Sequence, residues 1–210
     1  MSVSELSRAW TSLWRRLGAG GDPDRVYADL LARYSEPGRA YHTLSHVEHC
    51  LKELSGVPEP AADADALEFA LWLHDAVYDT RAKDNEAQSA ALAHQVARSA
   101  GLADAFGGQV TRLILATRHT APPAAAGERT MVDIDLAILG QSSARFDEYE
   151  RQIREEYSWV AEDAFAQGRG AFVASMLARP AIYSTPHFLG KYEARARENL
   201  SRSLVRLGAR

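Results

Sequence analysis

The feature that most constrains the fold of this chain is the spacing of its apolar residues, which follows a helical period in nearly every segment. No stretch shows the regular alternation of apolar and polar residues that is typical of a half-buried strand. Runs rich in Gly, Pro and small polar residues separate the helical segments at 18–21, 35–38, 58–60 and 120–127. Because 210 residues are enough for one domain with a real core, the sequence predicts a single all-α helical bundle.

Local signals set the ends of the predicted helices. Asp22 and Pro23 are an N-cap and a first-turn proline, Thr43 is a further N-cap, and Gly101 follows a helix end. The predicted helices cover about 4–17, 23–34, 43–56, a segment ending at 74–75, 84–100, 103–119, a short segment ending at 140, 143–167, 169–178 and 188–207.

Composition excludes several classes of protein. A net charge of −4 argues against a protein that coats a nucleic acid duplex. The single cysteine, Cys50, rules out an internal disulfide framework, fits a reducing cytoplasm, and is interpreted as a small buried apolar residue. The start of the chain lacks the features of a signal peptide, and the apolar runs are too short to cross a bilayer. These observations predict a cytoplasmic protein that does not bind membranes.

The dipeptide His74-Asp75 ends an apolar helical segment, where adjacent His and Asp have no packing reason to occur. Imidazole and carboxylate groups are ligands for Zn²⁺, Mn²⁺, Fe²⁺ or Mg²⁺. His46 lies 28 residues earlier, on a predicted helix whose same face carries His42 and His49. Such separations suit ligands that come from different helices and meet in the core of a bundle. We therefore predict that His46, His74 and Asp75 bind a metal ion.

A further carboxylate lies 60 residues after Asp75, at Asp135. Asp133 and Asp135 are two residues apart, so only one of them is expected to point inward if the segment is helical. Asp135 precedes a buried-looking apolar run, where an unpaired carboxylate would be costly. We expect Asp135 to face inward and Asp133 to cap the helix.

Three more residues raise the question of a second metal ion. His119 is expected at a helix end facing the loop at 120–127, and His94 within a helix. Glu86, in the first turn of the helix opened by Asp84, is a competing oxygen ligand or a water-positioning group. Simple capping chemistry for Glu86 and a partly exposed helical position for His94 are alternatives that stay open.

Taken together, these motifs resemble the HD superfamily of metal-dependent phosphohydrolases, which is named for its His-Asp pair. They are also similar to a group of small bacterial proteins known as predicted metal-dependent HD phosphohydrolases. The resemblance implies a bundle of the HD type with a metal-site core over about 25–140 and C-terminal helices over about 143–207. It also implies Asp135 as the last metal ligand, and His119 with His94 in members that hold two ions. The segments that carry the resemblance are 39–46, 72–78, 84–90, 135–140, 153–158 and 193–200.

The function that follows as an expectation is hydrolysis of a small phosphorylated substrate, for example a nucleotide, by water activated on one or two divalent ions of Mn, Mg, Fe, Ni or Zn. Asp75, Glu86 and His42 are the candidate catalytic groups. The alternatives are a diiron HD-type oxygenase, which needs the extra ligands, and a non-enzymatic metal-stabilised binding protein. Arg151, Arg154 and residues 157–159 suit either a pocket wall or a homodimer contact. The candidate cations for the substrate phosphate are Arg39, Arg81, Lys83 and Arg118.

Overall fold

The computed structural model describes residues 3–58 and 64–208, and within these ranges the chain is all-helical without a strand. This confirms the all-α prediction. Residues 59–63, which include most of the break predicted at 58–60, lie outside the described ranges. A 3₁₀ helix, Leu136–Gly140, follows α7 directly. The α-helices are α1 Val3–Arg16, α2 Pro23–Arg33, α3 Leu44–Ser55, α4 Ala64–Leu73, α5 Asn85–Ser99, α6 Asp104–Ala116, α7 Ala126–Asp135, α8 Ser143–Glu156, α9 Glu162–Leu177 and α10 Pro186–Gly208.

The chain divides into two compact units, one up to Val132 and one from Asp133 on. The prediction of a single HD-type domain over 1–210 stays a prediction.

Helix α4 is the centre of the first unit. All of its residues from Ala66 to Leu73 except Glu68 are buried, so it is apolar on nearly every side and must be surrounded by other helices. Its neighbours are α1, α3, α5 and α6. Trp10 of α1 packs against Phe69 and Trp72 of α4, with ring centroids 5.7 and 5.5 Å apart. Each such buried side chain contributes about 1.5–3 kcal/mol. This packing fixes the end of α4, where the His-Asp pair lies.

In the second unit, α10 packs on α9 and on the 3₁₀ helix. The close approach to the 3₁₀ helix requires Gly140, because a Cβ there would lie 2.4 Å from Cβ of Tyr192. Asn199 of α10 donates from Nδ2 to the carbonyl oxygens of Leu139 and Gln141, at 2.9 Å each. Tyr183 donates its hydroxyl proton to the carbonyl of Leu136 at 2.9 Å. The bonds from Asn199 take up carbonyl groups at the end of the 3₁₀ helix, where the last carbonyls have no partner within the helix.

The prediction of one long helix over 143–167 is wrong. Helix α8 ends at Glu156 and α9 begins at Glu162, because the guanidinium of Arg154 takes up the carbonyls of Tyr157 and Val160 at 2.6 and 3.0 Å. Aromatic, β-branched and Ser residues at 157–160 also lower the helix propensity there. Helix α9 then continues through the glycines at 168 and 170, where we had predicted a boundary.

Across the part of the chain that the structure describes, no helix combines the length and the apolar character that a bilayer span requires.

Candidate metal centre

The first donor comes from α3. This helix begins at Leu44, so His46 lies in its first turn, and the side chain of His46 is 1% exposed. Thr43 is the N-cap residue, as predicted, although its side chain makes no capping hydrogen bond. The ring of His46 points towards α4, where its Nε2 lies 3.0 Å from Nε2 of His74.

His74 and Asp75 follow directly after the last residue of α4, Leu73. On a continuous helix two adjacent side chains would diverge by about 100°. Because the helix ends at Leu73, both side chains turn to the same place, and Nε2 of His74 lies 3.1 Å from Oδ2 of Asp75. The other nitrogen of His74, Nδ1, is 3.0 Å from the carbonyl of Leu71. A carbonyl only accepts, so Nδ1 carries a proton, and Nε2 is the ring nitrogen that is available to bind an ion.

The three donor atoms form a compact triangle. The separations are 3.0 Å between the two imidazole nitrogens, 3.1 Å from His74 to Asp75, and 3.5 Å from His46 to Asp75. A circle through three points at these separations has a radius of about 1.9 Å, slightly less than the ~2.0–2.2 Å bonds of Zn²⁺ to nitrogen and oxygen. All three atoms can therefore bind one ion at ordinary bond lengths without moving.

The charge state of Asp75 suits metal binding. Burial by itself would raise the pKa of this carboxyl. The electrostatic attraction of His74 and His42, the hydrogen bond with His74 and the attraction of His46 outweigh burial and hold the pKa well below its ordinary range. Asp75 is thus a carboxylate at neutral pH, and its side chain is 16% exposed, whereas the side chains of His46 and His74 are each 1% exposed.

Tyrosine rings and His42 surround the histidine donors. The ring of Tyr41 packs against His46 with centroids 4.8 Å apart. His42 stacks on Tyr78 at 4.1 Å with an angle of 28° between the rings. His42 precedes α3 and so does not share a helix face with His46, but it is half-buried and electrostatically close to Asp75.

The loop that follows Asp75 is tied to the start of α5. The hydroxyl of Ser89 accepts from the backbone N–H of Val77 at 3.1 Å and donates to the carbonyl of Val77 at 3.2 Å. The side chain of Asn85 makes a similar pair of bonds with the backbone of Asp79, at 3.0 and 2.8 Å. The segment 84–90, which carries part of the family resemblance, therefore includes two residues that hold the loop after the ligand pair.

The structure does not place Arg39 in its predicted role, which was to bind the substrate phosphate. Its side chain is 2% exposed, and all five of its N–H groups have acceptors. These acceptors are the carboxylate of Glu36 and the backbone carbonyls of His42, Asp75 and Ala76. No donor is left for a phosphate, because the guanidinium is fully used within the protein.

Cys50 is a neighbour of the site that the sequence did not indicate. Its Sγ lies 3.7 and 3.8 Å from the two ring nitrogens of His46, one helical turn earlier. Cys50, His46 and His74 are all buried, and their donor atoms lie within 4.8 Å of one another, so this group could also hold a metal ion. A single cysteine with a helical spacing to a histidine gives no signal in the sequence, since most such residues only pack.

Glu86, Lys83 and Arg118 lie around the start of α5 and the end of α6. Glu86 is in the first turn of α5, as predicted, and its carboxylate is 3.9 Å from the guanidinium of Arg118. Lys83 is exposed just before the helix. Arg118 and Glu86 are both partly exposed, so this pair is weak and leaves both side chains able to meet a ligand.

The two candidate ligands for a second ion have different surroundings. His94 of α5 is partly exposed, and its Nε2 lies 3.0 Å from a carboxylate oxygen of Asp104 in the first turn of α6. Its ring packs against Gly107, where an added Cβ would lie 2.3 Å from Cδ2 of His94. His119 follows α6 with a positive φ of 55°, a conformation that His adopts more readily than most residues. His94 thus has a structural partner, and the role of His119 stays a prediction.

The expectation for the two aspartates of α7 is wrong for Asp133. Both lie in the last turn of α7, so neither is at the start of its own helix. Asp133 is fully buried, and its carboxylate accepts from the backbone N–H groups of Ser184 and Thr185 and from the hydroxyl of Thr185, at 2.7–2.8 Å. It therefore holds the two residues just before α10 instead of capping its own helix, and burial raises its pKa in spite of these bonds. Asp135 is partly buried, and its assignment as the fourth ligand stays a prediction.

Comparison of the chain with protein-family models, with curated proteins and with solved structures gives no match.

Proposed function

We propose that this protein is a metal-dependent phosphohydrolase of the HD type, with a divalent ion held by His46, His74 and Asp75. The observation that carries the proposal is the triangle of three donor atoms, with separations of 3.0–3.5 Å, beside a carboxylate that reaches solvent. Two imidazoles and one carboxylate leave further positions on an ion for water and substrate, which is a property of catalytic rather than structural sites.

When bound, the ion would supply Lewis acidity, which lowers the pKa of its bound water to about 7. The chain itself does the remaining work. The Leu71 carbonyl keeps the His74 ring in one orientation and one tautomer. Asp75 stays ionised at neutral pH, and its partly exposed side chain can orient a water molecule. His42, stacked on Tyr78 beside Asp75, is the candidate for holding or releasing a proton during the reaction.

Phosphate recognition falls to cations other than Arg39. Lys83 is exposed, and Arg118 is partly exposed with only a long contact to Glu86. Both lie at the ends of helices in the same unit as the donor triangle. We propose Lys83 and Arg118 as groups that attract the substrate phosphate, with Glu86 as a polar neighbour that orients Arg118.

Two observations favour hydrolysis over the alternatives. A diiron oxygenase needs a second set of ligands, and His94, one of its members, is instead paired with Asp104. A purely structural metal site is expected to be closed to solvent, whereas the side chain of Asp75 is 16% exposed. The proposed substrate class is small phosphorylated molecules, including nucleotides.

The test is a turnover screen of purified protein with phosphomonoesters, nucleotides and cyclic nucleotides in the presence of Mn²⁺, Mg²⁺, Ni²⁺ or Fe²⁺. We expect release of phosphate or nucleotide product with at least one substrate class, and its loss in H74A. Variant H94A is the matched control, because it removes a histidine of the same unit that is paired elsewhere. Turnover that survives in H74A, or a screen without any metal-dependent product, would contradict the proposal.

A further inference from the structure

Arg39 contributes no metal-binding atom to the candidate metal centre, yet it connects the two chain segments that carry the three metal-binding atoms. We propose that Arg39 is a positioning residue that holds Asp75 and the start of α3 at the separation that metal binding requires. The inference rests on the proposed function, since it assigns a residue to the same site.

The connection is made by one nitrogen. Nη1 of Arg39 donates to the carbonyl of Asp75 at 2.7 Å and to the carbonyl of His42 at 3.1 Å. The first carbonyl belongs to a ligand, and the second lies four residues before His46, just ahead of α3. A third bond, from Nη2 to the carbonyl of Ala76 at 3.2 Å, fixes the peptide after Asp75. The backbone on both sides of the donor triangle is therefore bound to one planar group.

Burial makes this arrangement costly to lose. Only 2% of the Arg39 side chain is exposed, so its charge is removed from solvent. It is balanced by the carboxylate of Glu36 at 3.1 Å and by the rings of Tyr34 and Tyr78, whose centroids lie 5.2 and 5.5 Å from the guanidinium carbon. Removing the guanidinium would leave the carbonyls of Asp75 and Ala76 without this donor, and the loop could then relax away from α3.

A lysine cannot reproduce the contact. The guanidinium presents five N–H groups in a rigid plane, and here they bind the carboxylate of Glu36 and three backbone carbonyls. An ammonium group has three donors at one point, so it can keep the charge and some of the bonds but not the separation of the two segments. Since functional groups must be held within about 0.5 Å of the productive geometry, loss of this cross-link should weaken metal binding.

The experiment measures the affinity of the purified protein for Mn²⁺ and Zn²⁺ by competition with a chelating dye. It compares wild type with R39K, R39A and the control R33A. Arg33 is a partly exposed arginine of α2 that pairs with Asp29 at 2.9 Å across one turn of the helix. Circular dichroism and melting of the metal-free proteins report the fold. We expect a 10–100-fold loss of affinity in both Arg39 variants, as is typical for groups that support metal ligands, and no change in R33A.

Chemical rescue separates positioning from general destabilisation. Added methylguanidinium should restore part of the metal affinity of R39A, since it can occupy the vacated space, and should leave R33A unchanged. If R39A does not fold, the R39K variant tests the inference instead. A reduced metal affinity of R39K with native helicity supports the inference, and a metal affinity equal to that of wild type overturns it. Wild-type protein that binds neither ion would overturn the metal centre and this inference together. Normal binding by wild type and by both Arg39 variants would overturn the inference alone.

Discussion

Replacing His74 by Ala removes one corner of the donor triangle and should abolish the stabilisation that a bound metal provides. The two remaining donors, on His46 and Asp75, are 3.5 Å apart and offer only two bonds to an ion. A ligand that binds only the folded state stabilises it by RT ln(1 + [L]/Kd), which is about 2.7 kcal/mol at a hundredfold excess over Kd. For a chain of this size, each kcal/mol raises the melting temperature by about 2–4 °C.

The wild-type protein should therefore melt about 5–10 °C higher with metal at a hundred times Kd. If H74A weakens binding at least ~100-fold, the same metal concentration gives it no more than about 0.4 kcal/mol, or about 1 °C. The assay is differential scanning fluorimetry after chelation, with Mn²⁺, Mg²⁺, Fe²⁺, Ni²⁺ and Zn²⁺ added separately. The metal-free H74A protein should itself melt lower, because the variant leaves a cavity and removes the hydrogen bond to Leu71. The metal-induced increment is thus the quantity to compare.

The control is H94A, which loses a partly exposed ion pair with Asp104 and should keep the full increment. A wild-type protein whose melting temperature rises with none of the five ions would refute the reasoning from the donor triangle. An increment of several degrees that persists in H74A would refute it as well.

Four further predictions address the rest of the chain. D133A should lower the free energy of unfolding by about 2–4 kcal/mol in urea titrations, because three donors lose a buried acceptor; a loss below about 1 kcal/mol would contradict the role of Asp133 in holding the residues before α10. G140A should cost about 1–3 kcal/mol or more through overpacking, whereas G190A, whose added Cβ meets nothing within 4 Å inside α10, should gain about 0.5–1 kcal/mol; equal effects would contradict this contrast. Burial raises the pKa of Tyr183, so its contribution to stability is complete below the pKa of an unfolded tyrosine, about 10, and is lost as the pH rises beyond it. Melting temperatures between pH 8 and 11 should accordingly fall more steeply in wild type than in Y183F, and parallel curves would contradict the assignment. Sγ of Cys50 lies almost equally far from both ring nitrogens of His46, at 3.7 and 3.8 Å, so we expect that Cys50 does not bind the ion. Wild-type protein loaded with Co²⁺ should then show no thiolate charge-transfer band, and C50A should lose little metal affinity. A band in wild type that disappears in C50A would make Cys50 a ligand.

Much of the helical architecture could be predicted because its signals are local. Periodic apolar residues, the pair Asp22-Pro23 and the glycine after α5 define helices through contacts within a few residues, and the structure has helices at those positions. The break between α8 and α9 could not be predicted in the same way. It depends on the guanidinium of Arg154 binding two carbonyls beyond the helix end, a choice that the helical period of the segment does not show.

The site shows the same division. The sequence by itself determined the types of donor and their positions at helix ends, since an adjacent His and Asp after an apolar helix has little other explanation. It could not determine what surrounds the donors. Whether Arg39 meets a phosphate or backbone carbonyls, and whether Asp133 caps its own helix or binds the residues before α10, depends on groups 36 and 51 residues away along the chain.

Sequence alone therefore determined that this protein is helical and predicted which residues could bind a metal ion. Only the tertiary structure decided that His46, His74 and Asp75 approach within 3.0–3.5 Å, that Cys50 lies beside them, and that Arg39 is buried. The physical reason is that helix formation follows from local backbone bonding and side-chain spacing. The surroundings of a side chain follow instead from the packing of helices distant in sequence, which is set by the fit of whole surfaces.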